Sequence, residues 1–158
     1  MHGARHAPLQ YQQQDSPQTL AEALAEYYRV NDGVVTRPAD LPPESKALFV
    51  GHDTGHVIFG LSTSLEDEAM ADTRILLSSD VGFWRYSRYL AADQQAKAIF
   101  KQVGYGRVLL YSLRATPRIL RAIWEAMRTG KRWPWAPPSS FQTRSLADLR
   151  REFGIRVI

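Results

Sequence analysis

The chain has 158 residues, 44% of them hydrophobic and 23% charged, a formal net charge of +4 and no cysteine. That length suits one domain with an ordinary apolar core, and the missing cysteine excludes disulfides, thiolate metal sites and cysteine nucleophiles. The charge is uneven: residues 1–98 hold 8 Lys/Arg against 13 Asp/Glu, and residues 99–158 hold 12 against 3. The second part is therefore either a surface for an anionic partner or a solvated basic face.

Residues 1–15 are polar, carry no apolar segment that would read as a secretory signal, and are expected to be a disordered tail. Residues 16–158 are expected to form a single α-helical domain. Ser16 and Pro17 read as N-cap and first helical position for "PQTLAEALAEYYRVNDG", with Leu20, Leu24, Tyr27 and Tyr28 as the apolar stripe and Gly33 as the stop. "VVTRPADLPPES" holds three prolines and reads as an extended connection.

From Lys46 onward each segment has helical periodicity. "KALFVGHDTGHVIFG" ends at Gly60, and "LSTS" turns the chain. Ser64 and Asp67 make a capping box for "LEDEAMADTRILLSSD". "FWRYSRYLAADQQAKAIFKQVG" follows, then "GRVLLYSLRA", with Gly104 and Gly106 as punctuation. Thr116 and Pro117 open a helix with Ile119, Leu120, Ile123, Trp124 and Met127 on one face. "KRWPWAPPSS" is a proline-rich loop, and Ser145 with Asp148 caps the last helix. No alternating strand pattern exceeds four residues, and no run approaches the roughly 20 apolar residues of a membrane span. The fold class expected is all-α, an irregular single-domain helical bundle.

The chemistry concentrates in "GHDTGHVIFGLSTSLEDEAM". On a helix His52 and His56 lie about 40° apart and one turn along the axis, with Asp53 inside the same roughly 100° arc. If "GLSTS" closes a helical hairpin, the legs from His56 to Gly60 and from Ser64 to Glu68 are both about 6 Å long, which returns Glu68 to the level of His56. A histidine pair at this spacing often occurs without a metal. Asp53 and a returning carboxylate make the set suitable for a divalent cation. Glu66 and Asp67 sit in the first turn, where carboxylates ordinarily meet the helix dipole. Asp72 is either a supporting group or solvated.

The pattern His52-Asp53-x-x-His56, eleven residues, then Glu68 resembles the metal-binding signature of the ubiquinone (coenzyme Q) biosynthesis protein 4 family. "HVIFGL" after the motif and "SLADLRREFGI" at Ser145–Ile155 are also similar, so the likeness spans about residues 46–158. The chain would be a short, divergent, bacterial-type member. The resemblance implies an all-helical protein in which His52, Asp53, His56 and Glu68 bind a divalent cation, zinc in the first place and magnesium in the second. It also implies a protein that is cytoplasmic or peripheral to the inner membrane on its cytoplasmic face, an isoprenoid-tailed ligand or prenylated quinone precursor, and other quinone-biosynthesis proteins as partners. The activity implied is oxidative decarboxylation of a prenylated hydroxybenzoate at C1. The departures are "KALFVG" before His52 and "EDEAM" around Glu68.

Two other readings stay open. A non-enzymatic isoprenoid-lipid-binding or scaffold protein would use the metal to hold helices or a lipid phosphate. A zincin-like metallohydrolase would need Asp53 as general base, one methylene shorter than the usual glutamate. A His-Asp phosphohydrolase would need an upstream ligand, and only His2 and His6 precede the motif. Arg114, Arg118, Arg121 and Arg128, followed by Lys131, Arg132, Trp133 and Trp135, suit an anionic membrane surface. Trp124 and Phe141 read as core. No recognition motif supports nucleic acid, and a homodimer is compatible with the pattern.

Overall fold

The computed structural model describes residues 9–92 and 105–158, the side chains of 44, 65, 90, 92 and 105–115 excepted, and among these residues six α-helices carry the fold. They are α1 (Leu20–Val30), α2 (Pro43–Phe59), α3 (Leu65–Ser78), α4 (Phe83–Ala92), α5 (Tyr105–Arg128) and α6 (Leu146–Phe153). Short 3-10 turns lie at Gln10–Gln12, Pro38–Asp40 and Ser139–Phe141. The only strand-like pairings among the described residues are two isolated bridges, Thr19 with Ser145 and Ser79 with Trp133. The all-α expectation holds. No helix among the described residues is long and apolar enough to cross a membrane.

The organising element is α2. Every residue from Gly51 to Leu61 is buried, so its C-terminal half is enclosed on all sides rather than amphipathic. α1 and α3 pack along it, and α4 and α6 also touch it. Two glycines allow this enclosure. A Cβ on Gly51 would lie 2.3 Å from the Trp135 ring, and one on Gly55 would lie 2.5 Å from Ile75 of α3. At Gly60 the chain takes a left-handed turn (φ 73°) that ends the helix, and Leu61 N–H donates to the His56 carbonyl.

Arg150 of α6 fastens the same end. Its fully buried guanidinium donates to the carbonyls of Val57 and Ile58 in the last turn of α2, and to those of Tyr11, Gln13 and Gln14. Those N-terminal contacts correct the expected tail boundary: residues 9–15 are anchored by fully buried Tyr11 and by the carbonyls that Arg150 meets, while residues 1–8 lie outside the described residues.

The start of α1 also differs from expectation. Ser16–Thr19 run beside the N-terminus of α6, with Ala147 N–H donating to the Ser16 carbonyl and Leu146 N–H to that of Gln18. The helix therefore begins at Leu20, where Thr19 and Glu22 form a reciprocal capping box. It ends before Gly33, with Asn31 at its C-cap.

α5 runs continuously through Gly106 and Pro117. A threonine–proline pair marks a helix start and an interior proline equally well, and here it is interior. The apolar face expected for α5 is only partly inward. Ala122 and Ala126 are buried and Ile119 and Ile123 half-buried, whereas Leu120, Trp124 and Met127 are 60%, 55% and 71% exposed. Trp124 is thus not core, while Phe141 packs against the core beside Trp133 and Phe153. Trp133 and Trp135, expected at the surface, are buried: one is wedged between Phe141 and Phe153, the other seated on Gly51. The helical reading of residues 93–104, Gly104 and the Arg114 side chain lies outside what is described.

Candidate metal centre

α2 supplies the histidines and α3 returns the carboxylate. The α2–α3 turn is set by Ser64, whose hydroxyl accepts from Asp67 N–H, and by Asp67, whose carboxylate accepts from Ser62 N–H at 2.9 Å and from the Ser62 hydroxyl. Asp67 is thereby used in the turn, and Glu66 pairs with Arg118 of α5 at 2.8 Å. Glu68 is left to face α2.

His52, His56 and Glu68 each offer a ligand atom, and the three atoms lie within 4.8 Å of one another. Nε2 of His56 is 3.3 Å from Glu68 Oε2, and Nε2 of His52 is 3.8 Å from the same oxygen. Neither Nε2 has a hydrogen-bond partner, nor does Nδ1 of His56, although both rings are buried. Orphaned buried imidazole nitrogens are costly unless something occupies the space between them. A tetrahedral zinc with ligands at about 2.0–2.2 Å holds its ligand atoms about 3.4 Å apart, so closing this set takes shifts of about 1 Å.

Aromatic rings hold the imidazoles. His52 stacks on Tyr89 of α4 at 4.3 Å, and His56 lies 5.6 Å from Tyr27 of α1. Asp53 is beside the set rather than in it. Its Oδ1 lies 3.8 Å from Nδ1 of His52, on the far side of the ring from Glu68, and its Oδ2 accepts a 2.8 Å hydrogen bond from the Tyr28 phenol. Asp72, one turn beyond Glu68, is 3.8 Å from Nε2 of His52 and accepts from the Tyr86 phenol.

Burial works against charging His52, but the carboxylates of Asp53, Asp72 and Glu68 outweigh it and raise its pKa to about 9. Burial likewise raises the Tyr28 phenol, with Asp53 adding to the effect. Without a cation these carboxylates favour the protonated form of His52.

No protein-family model, curated protein or solved structure matches the chain. What the site can do therefore rests on its own donor atoms. Two nitrogens and one carboxylate oxygen suit zinc and non-haem iron alike.

Several positioning residues were not singled out in the sequence. Gly51 and Gly55 precede the two histidines at the same i,i+4 spacing, a pattern that signals a close approach on the neighbouring face. Tyr28 was counted only as part of an apolar stripe, and the roles of Tyr86 and Tyr89 depend on where α4 folds back.

Proposed function

We propose that the chain binds one divalent cation through His52, His56 and Glu68, with Asp53 supporting His52 or joining the set, and that it acts in modifying a prenylated aromatic head group. The observation that carries the metal part is the pair of buried imidazoles with unpartnered nitrogens beside one carboxylate oxygen. The substrate part rests on the resemblance of the His52-Asp53-x-x-His56…Glu68 pattern to the ubiquinone biosynthesis protein 4 family. Zinc is the leading ion.

A bound cation would supply Lewis acidity toward a head-group oxygen. The chain's own groups divide the remaining work. Burial of both histidines keeps bulk water away from α2, while Glu68 and Asp72 are partly exposed and mark the side from which a head group would approach. Asp53 holds the Nδ1 side of His52, and Tyr86 holds Asp72.

A zincin-like hydrolysis is disfavoured by Asp53. It lies on the Nδ1 side of His52 and holds the Tyr28 phenol, away from the Nε2 side where a water would bind. The non-enzymatic lipid-binding or scaffold reading shares the cation site and differs only in turnover.

A membrane-facing role would use a different surface from that expected. Leu120, Trp124 and Met127 of α5 and Phe83 and Trp84 of α4 are exposed apolar groups, with Arg85, Arg88, Arg121, Arg128 and Arg132 exposed among them in sequence.

The test is elemental analysis and zinc calorimetry on wild type beside His56→Ala and Glu68→Ala. Near-stoichiometric metal lost in both variants supports the site. Carbon dioxide release from a prenylated hydroxybenzoate then separates enzyme from carrier. Metal-free wild type that ignores added zinc, magnesium and iron(II) would end the proposal.

A further inference from the structure

Outside the metal centre, the buried side chains with unpartnered polar atoms among the described residues are Arg74, Ser78 and Trp133. All three are donors: Nε, Nη1 and Nη2 of Arg74, the Ser78 hydroxyl and the Trp133 indole N–H. Each residue is at most 1% exposed. Arg74 and Ser78 are one turn apart on α3 and share a face, about 120° and 80° around the helix from Glu68. The backbone N–H of Trp133 donates to the Ser78 carbonyl at 2.8 Å, which sets the tryptophan against the same end of α3.

Arg74 lies over the Phe59 ring at 4.8 Å, and no carboxylate among the described residues forms an ion pair with it. The field of Glu125 on α5 reaches it, but burial dominates and lowers its pKa only to about 10, so it stays charged at neutral pH. A buried guanidinium without a counter-charge is strongly unfavourable. Water cannot neutralise it, and a cation would be repelled. A planar fork of donors with an unpartnered hydroxyl one turn along the same helix face matches an oxyanion.

We propose that Arg74 and Ser78 form a binding site for a phosphate or carboxylate, carried either by a free anion or by the head group of an amphiphile. The site is separate from the metal centre and does not rest on the metal reading. α5 runs parallel to α3 along it, with Arg118 near the start of α3 at Glu66 and Trp133 beyond the end of α5 at Ser78. Among the described side chains of α5, the buried ones, Ala122 and Ala126, are small. Arg74 is fully buried in this packing, so binding includes an opening of the surrounding side chains that admits the anion.

The test uses the whole chain, freed of metal with chelator. Melting temperature and calorimetry are followed against inorganic phosphate and against dodecyl phosphate below its micelle concentration. The expected result is one-to-one binding with a raised melting temperature. In Arg74→Met that response disappears, and the ligand-free variant melts at or above wild type because an unpaired charge has gone. Arg74→Lys keeps the charge but loses the fork, weakening binding at least tenfold, and it carries the test if the methionine variant does not fold. His56→Ala responds like wild type. Binding of both probes identifies a free-oxyanion site, and binding of dodecyl phosphate alone identifies a head-group site. The proposal is overturned if neither probe binds, if Arg74→Met responds like wild type, or if Arg74→Lys binds unchanged.

Discussion

The phenol of Tyr28 donates a 2.8 Å hydrogen bond to Asp53 Oδ2, and the other oxygen of that carboxylate faces Nδ1 of His52. With Nδ1–H kept toward Asp53, Nε2 is the nitrogen left to meet Glu68 and a cation. Tyr28→Phe removes the outer link of this chain. Zinc affinity measured by calorimetry is expected to fall about tenfold, with a much smaller effect on metal-free melting. An unchanged affinity would detach Asp53 from the site.

The metal-free protein has a pH-dependent stability with a defined sign. His52 has a folded pKa of about 9 against an ordinary 6.5, so its contribution is full below about 6.5 and disappears as pH rises through about 9. Melting temperature in chelator is expected to fall across that window, by about 2–4 °C for each kcal/mol lost in a chain of this size. His52→Gln should flatten this part of the profile. A wild-type profile already flat from 6.5 to 9 would contradict the acid ring around His52.

Gly55 controls how closely α3 approaches the histidines. Its added Cβ would lie 2.5 Å from Cδ1 and 2.6 Å from Cγ1 of Ile75, so Gly55→Ala pushes Glu68 away from α2. Overpacking of this kind costs about 1–3 kcal/mol, part of which alanine's helix propensity returns. Metal affinity should drop more than stability, and adding Ile75→Val should restore much of it. Equal losses with no rescue would mean the spacing does not matter to the site.

Arg150→Met is expected to be the most destabilising of these substitutions. It leaves the carbonyls of Tyr11, Gln13, Gln14, Val57 and Ile58 without their guanidinium donors, at a cost of about 3 kcal/mol or more. Denaturant unfolding measures it. A loss below about 1 kcal/mol would show that water replaces the guanidinium.

Exposed Leu120, Trp124 and Met127 give the membrane reading its own check. Sedimentation with phosphatidylserine-containing vesicles should carry the protein down, and less so at high salt. The triple serine variant should stay in the supernatant. Equal partitioning of both proteins would remove α5 from that role.

The sequence carried the hairpin well, because its parts are local. Caps, the turn after Gly60 and the rise per residue together put Glu68 level with His56, and that is where it lies. Asp53 lies beside the other three: angular proximity on a helix wheel does not show that a tyrosine from α1 draws the carboxylate toward the Nδ1 side of the His52 ring. The outward face of α5 and the inward tryptophans 133 and 135 were missed for a related reason. Apolar periodicity identifies a stripe, but only the neighbouring chain decides whether it is covered, and here small residues on α2 and α5 made the close contacts. Arg74 and Arg150 read alike in sequence, as arginines within helices; one meets five carbonyls and the other meets none.

The contacts of Arg150 also set an order of events for a growing chain. Its acceptors at residues 11, 13 and 14 precede it by 136 to 139 positions, and those at 57 and 58 by 93 and 92. Links of such long range are slow to form, because the intervening chain must first be confined. While synthesis proceeds from the N-terminus, the helix bearing both histidines can coil and meet α3, yet its last turn stays unfastened until α6 has emerged. Metal capture by nascent or shortened chains should therefore be weak until that final helix is present.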